Sequence, residues 1–498
     1  MLKIRNYLEN FQKIHGKYIF FFFSFGLLFH LLAVIFSEGF HRPDEHLGIM
    51  RFVGYKLGLL TSSQALTSWE WPAQIRPWFQ PYLYYLITII PVKLGLTNPF
   101  VLTFLLRLFS SLMAYFAHLY FFEKTVHYCQ TIRGKHVFAF GLTLLWFLPF
   151  FHARTTAENL GTSFFLFGLT LFISKINSLE DKSIFSGSTK DILLIGSLWS
   201  LSFITRYQMI AMTGPILIWI FLKVENKGKL LSLGVLSFVV MQLLNFPLDF
   251  LGYGEWTLAP WNYFKENIVS GKSSHFGTDP FWYYLPKTLS RGIPFISLFL
   301  VIPTFWIFIK KPLHLLSFIG FFFLAIHSVI GHKEIRFIFP MVPLVAFYAA
   351  IFVESISEKC FPKWLWKFLF FQSVVALLIS SMKPAHNPIK FYKHLYYHPS
   401  KMTQIYTLNV IRDQLFFYQN RPITFQPLKK IEDVETIKSE SSWNKTFWIL
   451  TDKLPQRKYL EDVKKCTVDY SSYPEWVLNN FGKYLKRSKV WTLLVCPN

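Results

Sequence analysis

Charge is what this chain has least of. Only 16% of its 498 residues are Asp, Glu, Lys or Arg, against roughly 25% in soluble domains, while 52% are hydrophobic. With a mean hydropathy of +0.34, that scarcity excludes a soluble globular protein and points to an integral membrane protein. A glycine-rich phosphate loop is missing, so a nucleotide-binding fold is not expected. No small-residue cleavage site follows the first apolar run, 18–36, which predicts a retained first helix. Internal repeats of the kind that build inverted-repeat transporters are not visible. Few ionisable residues fall mid-span; Arg107 is the main one and sits toward a helix end. Both of these absences count against a transporter.

Basic residues are in excess, giving a formal charge of +23. They recur between apolar runs rather than forming one patch, which reads as the positive-inside rule and attraction to anionic lipid, not nucleic-acid binding. Lys3, Arg5, Lys13 and Lys17 place the N-terminus in the cytoplasm. Eleven apolar segments are predicted to span the membrane: 18–36, 100–122, 137–151, 160–173, 192–205, 210–222, 230–248, 293–309, 313–330, 337–353 and 368–381. With that count the basic clusters at 124–135, 175–190, 223–229, 310–311 and 359–367 all fall on one side. In the first outer loop, 47–60 reads as an amphipathic interfacial helix. The short apolar stretch 81–96, flanked by Pro77, Pro81 and Pro91, reads as re-entrant or interfacial, with a full span as the alternative.

Residues 382–498 hold no run long enough to span. Segments 447–450 and 490–495 read as short buried strands, and 434–439 and 475–485 as helical. The chain therefore divides into a transmembrane catalytic part, 1–381, and a small α/β domain on the outer face, 382–498. Cys129 and Cys360 fall in cytoplasmic turns. Cys466 and Cys496 both fall in the outer domain, where a disulfide is permitted; two buried thiols are the alternative.

The remaining polar clusters, 41–46, 69–78, 152–159, 249–284 and 331–337, lie on the outer side, an arrangement that suits an enzyme working at one membrane face. His41-Arg42-Pro43-Asp44-Glu45-His46 leaves the first helix almost without a gap. An ionised Asp44 there can act as general base toward a hydroxyl that attacks an electrophile. Glu45 points to another face and has a different task. The 249–284 loop mixes aromatic faces with amides and hydroxyls, the chemistry that sugar rings bind; Tyr253, Trp256, Asn262, His275 and Asp279 are its candidates. Trp282, Tyr283 and Tyr284 read instead as an interfacial aromatic belt. Lys333 and Arg336, with His332, put positive charge on the outer face against the positive-inside rule, and a phosphate is a natural reason. Basic anchors paired with Glu334 are the alternative. Arg76 and Arg154 are further phosphate candidates.

These motifs together resemble glycosyltransferase family 22, the Alg9-like and GPI-anchor mannosyltransferases. The resemblance rests on the 41–46 stretch, Ser68-Trp69-Glu70-Trp71 with Ile75-Arg76, Arg154-Thr155 with Glu158, the 249–284 loop, and His332 to Phe337, in order over roughly residues 18–355. It implies an α-helical polytopic GT-C fold and inverting transfer of mannose from a polyprenyl (dolichyl) phosphate donor to a lipid-linked glycan or glycolipid. It implies Asp44 as base with Glu45 beside it, Glu158 as a second acidic position, and the 332–337 segment facing the donor phosphate. Trp69 and Glu70 join the acceptor candidates. Two positions depart from the family pattern: Arg42 separates His41 from Pro43, and Asp279 stands where eukaryotic members commonly have His. Neither a metal nor another cofactor is expected to be required. The alternatives are a GT-C transferase for another sugar, or a flippase or transporter for a lipid-linked sugar. The sequon Asn444-Lys445-Thr446 fits an endoplasmic-reticulum membrane, and the short loops fit a bacterial inner membrane.

Overall fold

The computed structural model describes residues 2–293, 295–357, 362–386, 388–399, 402–408, 415–419, 421–436, 446–481 and 489–497. Cys360, the sequon residues Asn444 and Lys445, and the ends of two expected helices, 437–439 and 482–485, lie outside them.

Each of the eleven apolar segments overlaps helix, with 137–151 divided between Ile132–Thr143 and Leu148–His152. Among the described residues, five helices are long and apolar enough to cross a bilayer: Lys17–Phe36, Pro99–Tyr128, Lys227–Tyr253, Ile335–Ser355 and Lys363–Met382. The Ile296–Lys310 and Leu315–Val329 helices qualify as a pair, bent by 113°. The others are shorter. Ile132–Thr143 ends before Leu148–His152, which takes Pro149 in its first turn, where a missing N–H does no harm. Local chemistry sets the ends. Gly16, at φ 86°, separates the Leu2–His15 helix from Lys17–Phe36. Asn98 caps the Pro99–Thr125 helix by accepting from the Phe100 N–H at 2.9 Å, and Pro99 occupies the first turn, where a missing N–H does no harm.

The helices pack in series. Ala157–Ile173 lies against Thr189–Thr205, which lies against Lys227–Tyr253, while Val342–Ser355 lies on Ile132–Thr143. Small residues set the approach: a side chain added at Gly196 would collide with the Gly234 backbone, as expected where helices associate through van der Waals contact. Lys227–Tyr253 leaves Val235, Leu236, Leu243 and Leu244 exposed, a face suited to hydrocarbon rather than to protein.

A second core lies at one end of the bundle. Ile49, Met50, Val53 and Leu60 from the first outer loop pack there with Phe100, Leu102 and Leu106. Ile389, Phe391, Tyr392 and Leu395 of the Ile389–Tyr397 helix, and Ile405, Phe425, Leu450 and Leu493 of a β-sheet, complete it. The 47–60 stretch is not one continuous helix: a π-turn, His46–Met50, leads into the Arg51–Lys56 helix, and Arg51, Phe52, Val53 and Gly54 are buried in this core. Phe52 stacks on Trp78 at 4.8 Å and His46 on Tyr418 at 5.8 Å. Residues 81–93 of the 81–96 stretch belong to a 15-residue helix, Phe79–Lys93.

The sheet has five strands, β1 (Gln404–Leu408), β2 (Thr424–Leu428), β3 (Thr446–Thr451), β4 (Thr467–Ser471) and β5 (Thr492–Pro497), in the order β2-β1-β3-β5-β4. β1 runs parallel to β2 and β3; β5 runs antiparallel to β3 and β4. Cys466 and Cys496 form a disulfide. Pro427 is tolerated because β2 is an edge strand.

Candidate active site

The chain leaves the first helix under tight control. Arg154 donates to the Gly39 carbonyl at 3.1 Å, to the Phe150 carbonyl at 3.2 Å and to both the carbonyl and the hydroxyl of Ser37. Pro43–Glu45 then forms one helical turn. Glu45 folds back over it, accepting from the N–H of His41 at 2.7 Å and of Arg42 at 3.4 Å through Oε1. Its Oε2 accepts from the Thr155 N–H at 3.1 Å and the Thr155 hydroxyl at 3.2 Å. Burial pushes the Glu45 carboxyl up, against these four hydrogen bonds and Arg154. Glu45 thus faces the protein, and Asp44, one residue earlier and about 100° around the turn, faces the opposite side.

On that side Asp44 Oδ2 accepts from Arg336 Nη2 at 2.7 Å and lies 3.7 Å from Arg76 Nη2. Arg336 has 5% of its side chain exposed and Asp44 has 35%, so the carboxylate looks outward from a buried cation. Burial by itself would raise the Asp44 carboxyl; Arg336 and Arg76 outweigh it and hold the group well below the usual carboxylate range. Nearby, burial and then Arg42, Arg154 and Arg336 push His41 down to about 4, leaving a neutral imidazole.

The two guanidiniums are themselves anchored. Arg76 forks onto Glu70 at 2.5 and 2.7 Å. Its backbone is pinned by Tyr253, whose hydroxyl donates to the Arg76 carbonyl at 2.8 Å and accepts from the Arg76 N–H at 3.2 Å. Arg336 donates to Glu334 at 3.0 Å and lies 3.5 Å from Glu158, which is also 3.2 Å from Arg206. Arg206 and Arg336 both lie over the Phe337 ring, at 5.5 and 5.3 Å. Glu158 is buried in the first turn of Ala157–Ile173, whose cap Thr156 accepts from the Asn159 N–H. Asp44, Arg76, Glu158 and Arg336 thus form one continuous charge network, built from four separate stretches of chain.

Lys333 sits at its margin. The residue is 3% exposed, and its ammonium donates to the backbone carbonyls of Asp279 at 2.8 Å and Gly331 at 3.4 Å. His332 Nδ1 meets the Gly277 carbonyl at 3.1 Å, and the Asp279 N–H donates to Gly331 at 3.0 Å. These bonds fasten the long loop to the 331–336 segment.

The other sequence candidates are spread differently. Trp69 lies under Lys272 at 4.0 Å and beside Phe276 at 6.2 Å. His275 is exposed. Asn262 donates to Thr257 at 2.9 Å, within its own loop, and to the Gln74 carbonyl of the 69–78 stretch at 3.4 Å. Trp256 is 62% exposed and stacks on Phe246 and Phe250, outside the charge network. Arg154 is spent on backbone and Ser37 and does not touch Asp44.

Arg206, Glu334 and Asp249 are network or support residues that the sequence reading did not name as candidates. Arg206 sits at the turn between the 192–205 and 210–222 segments, on the outer side of the expected topology. A basic residue there breaks the positive-inside rule just as Lys333 and Arg336 do. Asp249, buried, accepts from the Trp78 N–H at 2.7 Å and from Asn245 at 2.9 Å, fixing the 69–78 stretch to the end of Lys227–Tyr253.

The chain is 27% identical over 344 residues to the mannosyltransferase APTG1 of Arabidopsis thaliana, covering 66% of this chain and 57% of that protein. It is 25% identical over 355 residues to GPI alpha-1,2-mannosyltransferase 3 of Xenopus laevis, covering 69% and 60%. The chain thus spans less than two thirds of the length of these relatives. In three dimensions it is similar to ArnT from Cupriavidus metallidurans bound to undecaprenyl phosphate, with a TM-score of 0.56 and 11% identity over 95% of this chain and 97% of that one. That likeness establishes a shared fold. The profile of the Alg9-like mannosyltransferase family matches residues 20–419, most of the chain, and the protein belongs to that family.

Proposed function

We propose that this protein is a membrane glycosyltransferase that moves mannose from a polyprenyl-phosphate mannose donor onto a lipid-linked glycan or glycolipid, inverting the anomeric carbon. The observation that carries the reading is the Asp44–Arg336 pair: an outward-looking carboxylate held at 2.7 Å by a buried guanidinium, with Arg76 beside it. Relatives named as mannosyltransferases, and a structural neighbour bound to undecaprenyl phosphate, support the sugar and the lipid carrier.

The chemistry follows from the charges. The polyprenyl phosphate is the leaving group: breaking the bond from its oxygen to the anomeric carbon turns the phosphodiester into a phosphate monoester whose growing charge Arg336 and Arg76 stabilise, the effect expected of fixed cations aimed at a developing anion. Lys333, a buried ammonium bonded to two carbonyls, is the third cation offered to it. The acceptor oxygen attacks the anomeric carbon from the face opposite the phosphate; its C–O bond forms as the carbon–phosphate oxygen bond breaks, and its proton passes to Asp44. A phosphate drawn to Arg336 and Arg76 competes with Asp44 for them. The loss of that pairing raises the carboxyl toward the range in which it accepts a proton. Glu158 and Arg206 hold Arg336 from behind, and Glu45 holds the turn that presents Asp44. All eleven apolar segments cross the membrane in this reading, with the network and the sheet domain, 382–498, on the non-cytoplasmic face.

The test is transfer by the purified protein from a radiolabelled polyprenyl-phosphate mannose to glycolipid acceptors in detergent. Labelled glycolipid with inverted anomeric configuration supports the reading; donor that stays intact with every acceptor, while a lipid-linked sugar crosses reconstituted vesicles, overturns it in favour of transport.

A further inference from the structure

Outside the charge network, a cluster of chemistry-bearing side chains joins the end of the Ile389–Tyr397 helix to β4. His394 and His398 are one helical turn apart at the end of the Ile389–Tyr397 helix, so their imidazoles share a face. Opposite them stands Asp469 of β4. His394 Nε2 lies 2.6 Å from Asp469 Oδ2 and His398 Nε2 lies 3.1 Å from Oδ1. All three side chains are partly buried, with 27%, 11% and 21% exposure.

Two features make this more than a pair of hydrogen bonds. The β4–β5 register shifts between Val468 and Tyr470, which leaves Asp469 as the irregular residue of an edge strand. Bulges re-aim a side chain and recur beside functional sites, and here the carboxylate is turned onto both imidazoles. The donor atoms of the three residues also lie within 4.8 Å of one another. An ion about 2.0–2.2 Å from each donor places them roughly 3–4 Å apart. Two histidines spaced four apart, one in the last turn of a helix and one at its C-cap, completed by a carboxylate from elsewhere, are a donor set that suits zinc-class ions.

We propose that His394, His398 and Asp469 bind a divalent transition-metal ion of the zinc class. Water occupies the remaining position, supplied from the exposed side of the cluster. The ion is structural in its consequences. The Ile389–Tyr397 helix carries Ile389, Phe391, Tyr392 and Leu395 in the core shared with the loop that bears Asp44. An ion joining that helix to β4 clamps the edge of the sheet onto the same face.

The test uses the full chain in detergent, purified without a polyhistidine tag, stripped with chelator and titrated with Co2+ and then Zn2+. The wild-type protein is expected to develop the visible ligand-field band of low-coordinate Co2+, saturating at one equivalent and abolished by Zn2+. His394→Ala with His398→Ala removes the band, and Asp469→Asn shifts or weakens it. No band in the wild type overturns the proposal whatever the variants do. A band unchanged in Asp469→Asn and in the double variant overturns it too and leaves a hydrogen-bonded clamp. Where the double variant does not stay monodisperse, the wild-type titration and the conservative Asp469→Asn variant decide between these outcomes.

Discussion

Arg336 donates through Nη2 to Oδ2 of Asp44 at 2.7 Å, joining the turn after the first helix to the segment that opens the Ile335–Ser355 span. The chain's most exposed carboxylate in this network is thereby held by one of its most buried cations, with 35% against 5% of the side chain open. What else Arg336 touches therefore bears on the chemistry proposed for Asp44.

Behind it, Glu158 is 4% exposed and faces Arg206 at 3.2 Å and Arg336 at 3.5 Å. Glu158→Gln removes the charge that keeps these two guanidiniums together over Phe337. Breaking a buried pair in this way costs about 3–5 kcal/mol. A lower melting temperature in detergent is expected, with kcat falling more than KM rises, because Arg336 loses its position and not its charge.

The pH profile reports the same pair. The folded Asp44 carboxyl lies below its unfolded value because Arg336 and Arg76 outweigh burial. Its contribution to stability is therefore fully present above the unfolded carboxylate value, about 3.9, and is lost only as pH falls through the depressed folded value. The free enzyme holds Asp44 ionised throughout the neutral range. Arg336→Gln takes away the larger counter-charge and leaves Arg76 at 3.7 Å, so the acid limb of kcat/KM against pH moves to higher pH in the variant. An acid limb at the same pH in both proteins contradicts this assignment.

Glu45 is expected to behave differently from its neighbour. All four of its hydrogen bonds go to His41, Arg42 and Thr155. Glu45→Ala strips the acceptor from three backbone N–H groups and a hydroxyl; an unsatisfied buried donor costs about 1–3 kcal/mol. Thermal denaturation should show the loss, and kcat/KM should fall while keeping the wild-type pH profile, since the group supports the turn and holds no proton in transit.

The legible parts of this molecule were those that the membrane dictates. Asp44 and Arg336 stand out because charge at an outer helix end needs a reason, and that argument uses only chain position. Arg206 satisfies the same criterion but lies in a turn of few residues, where attention goes to the flanking apolar runs. Arg154 has the same chemistry as Arg76, yet its guanidinium is consumed by Ser37, Gly39 and Phe150; sequence carries no record of which carbonyls a fold leaves in need. Trp256 lies in the 249–284 loop, but stacking on Phe246 and Phe250 decides its place. In the sheet, the apolar runs of β3 and β5 are visible. β1, β2 and β4 are not, because each is short, and the edge strands carry Pro427 and the irregular Asp469.

Asp44→Asn is the most direct test of the central claim. The side chain keeps its volume and loses the capacity to take a proton, and removal of a general base typically costs about 10²–10⁴-fold in rate. Transfer of mannose from polyprenyl-phosphate mannose should fall by at least that lower bound, in a protein whose elution from size exclusion and melting curve show that it remains folded. Transfer at the wild-type rate by that folded variant would contradict the assignment of Asp44 as the base.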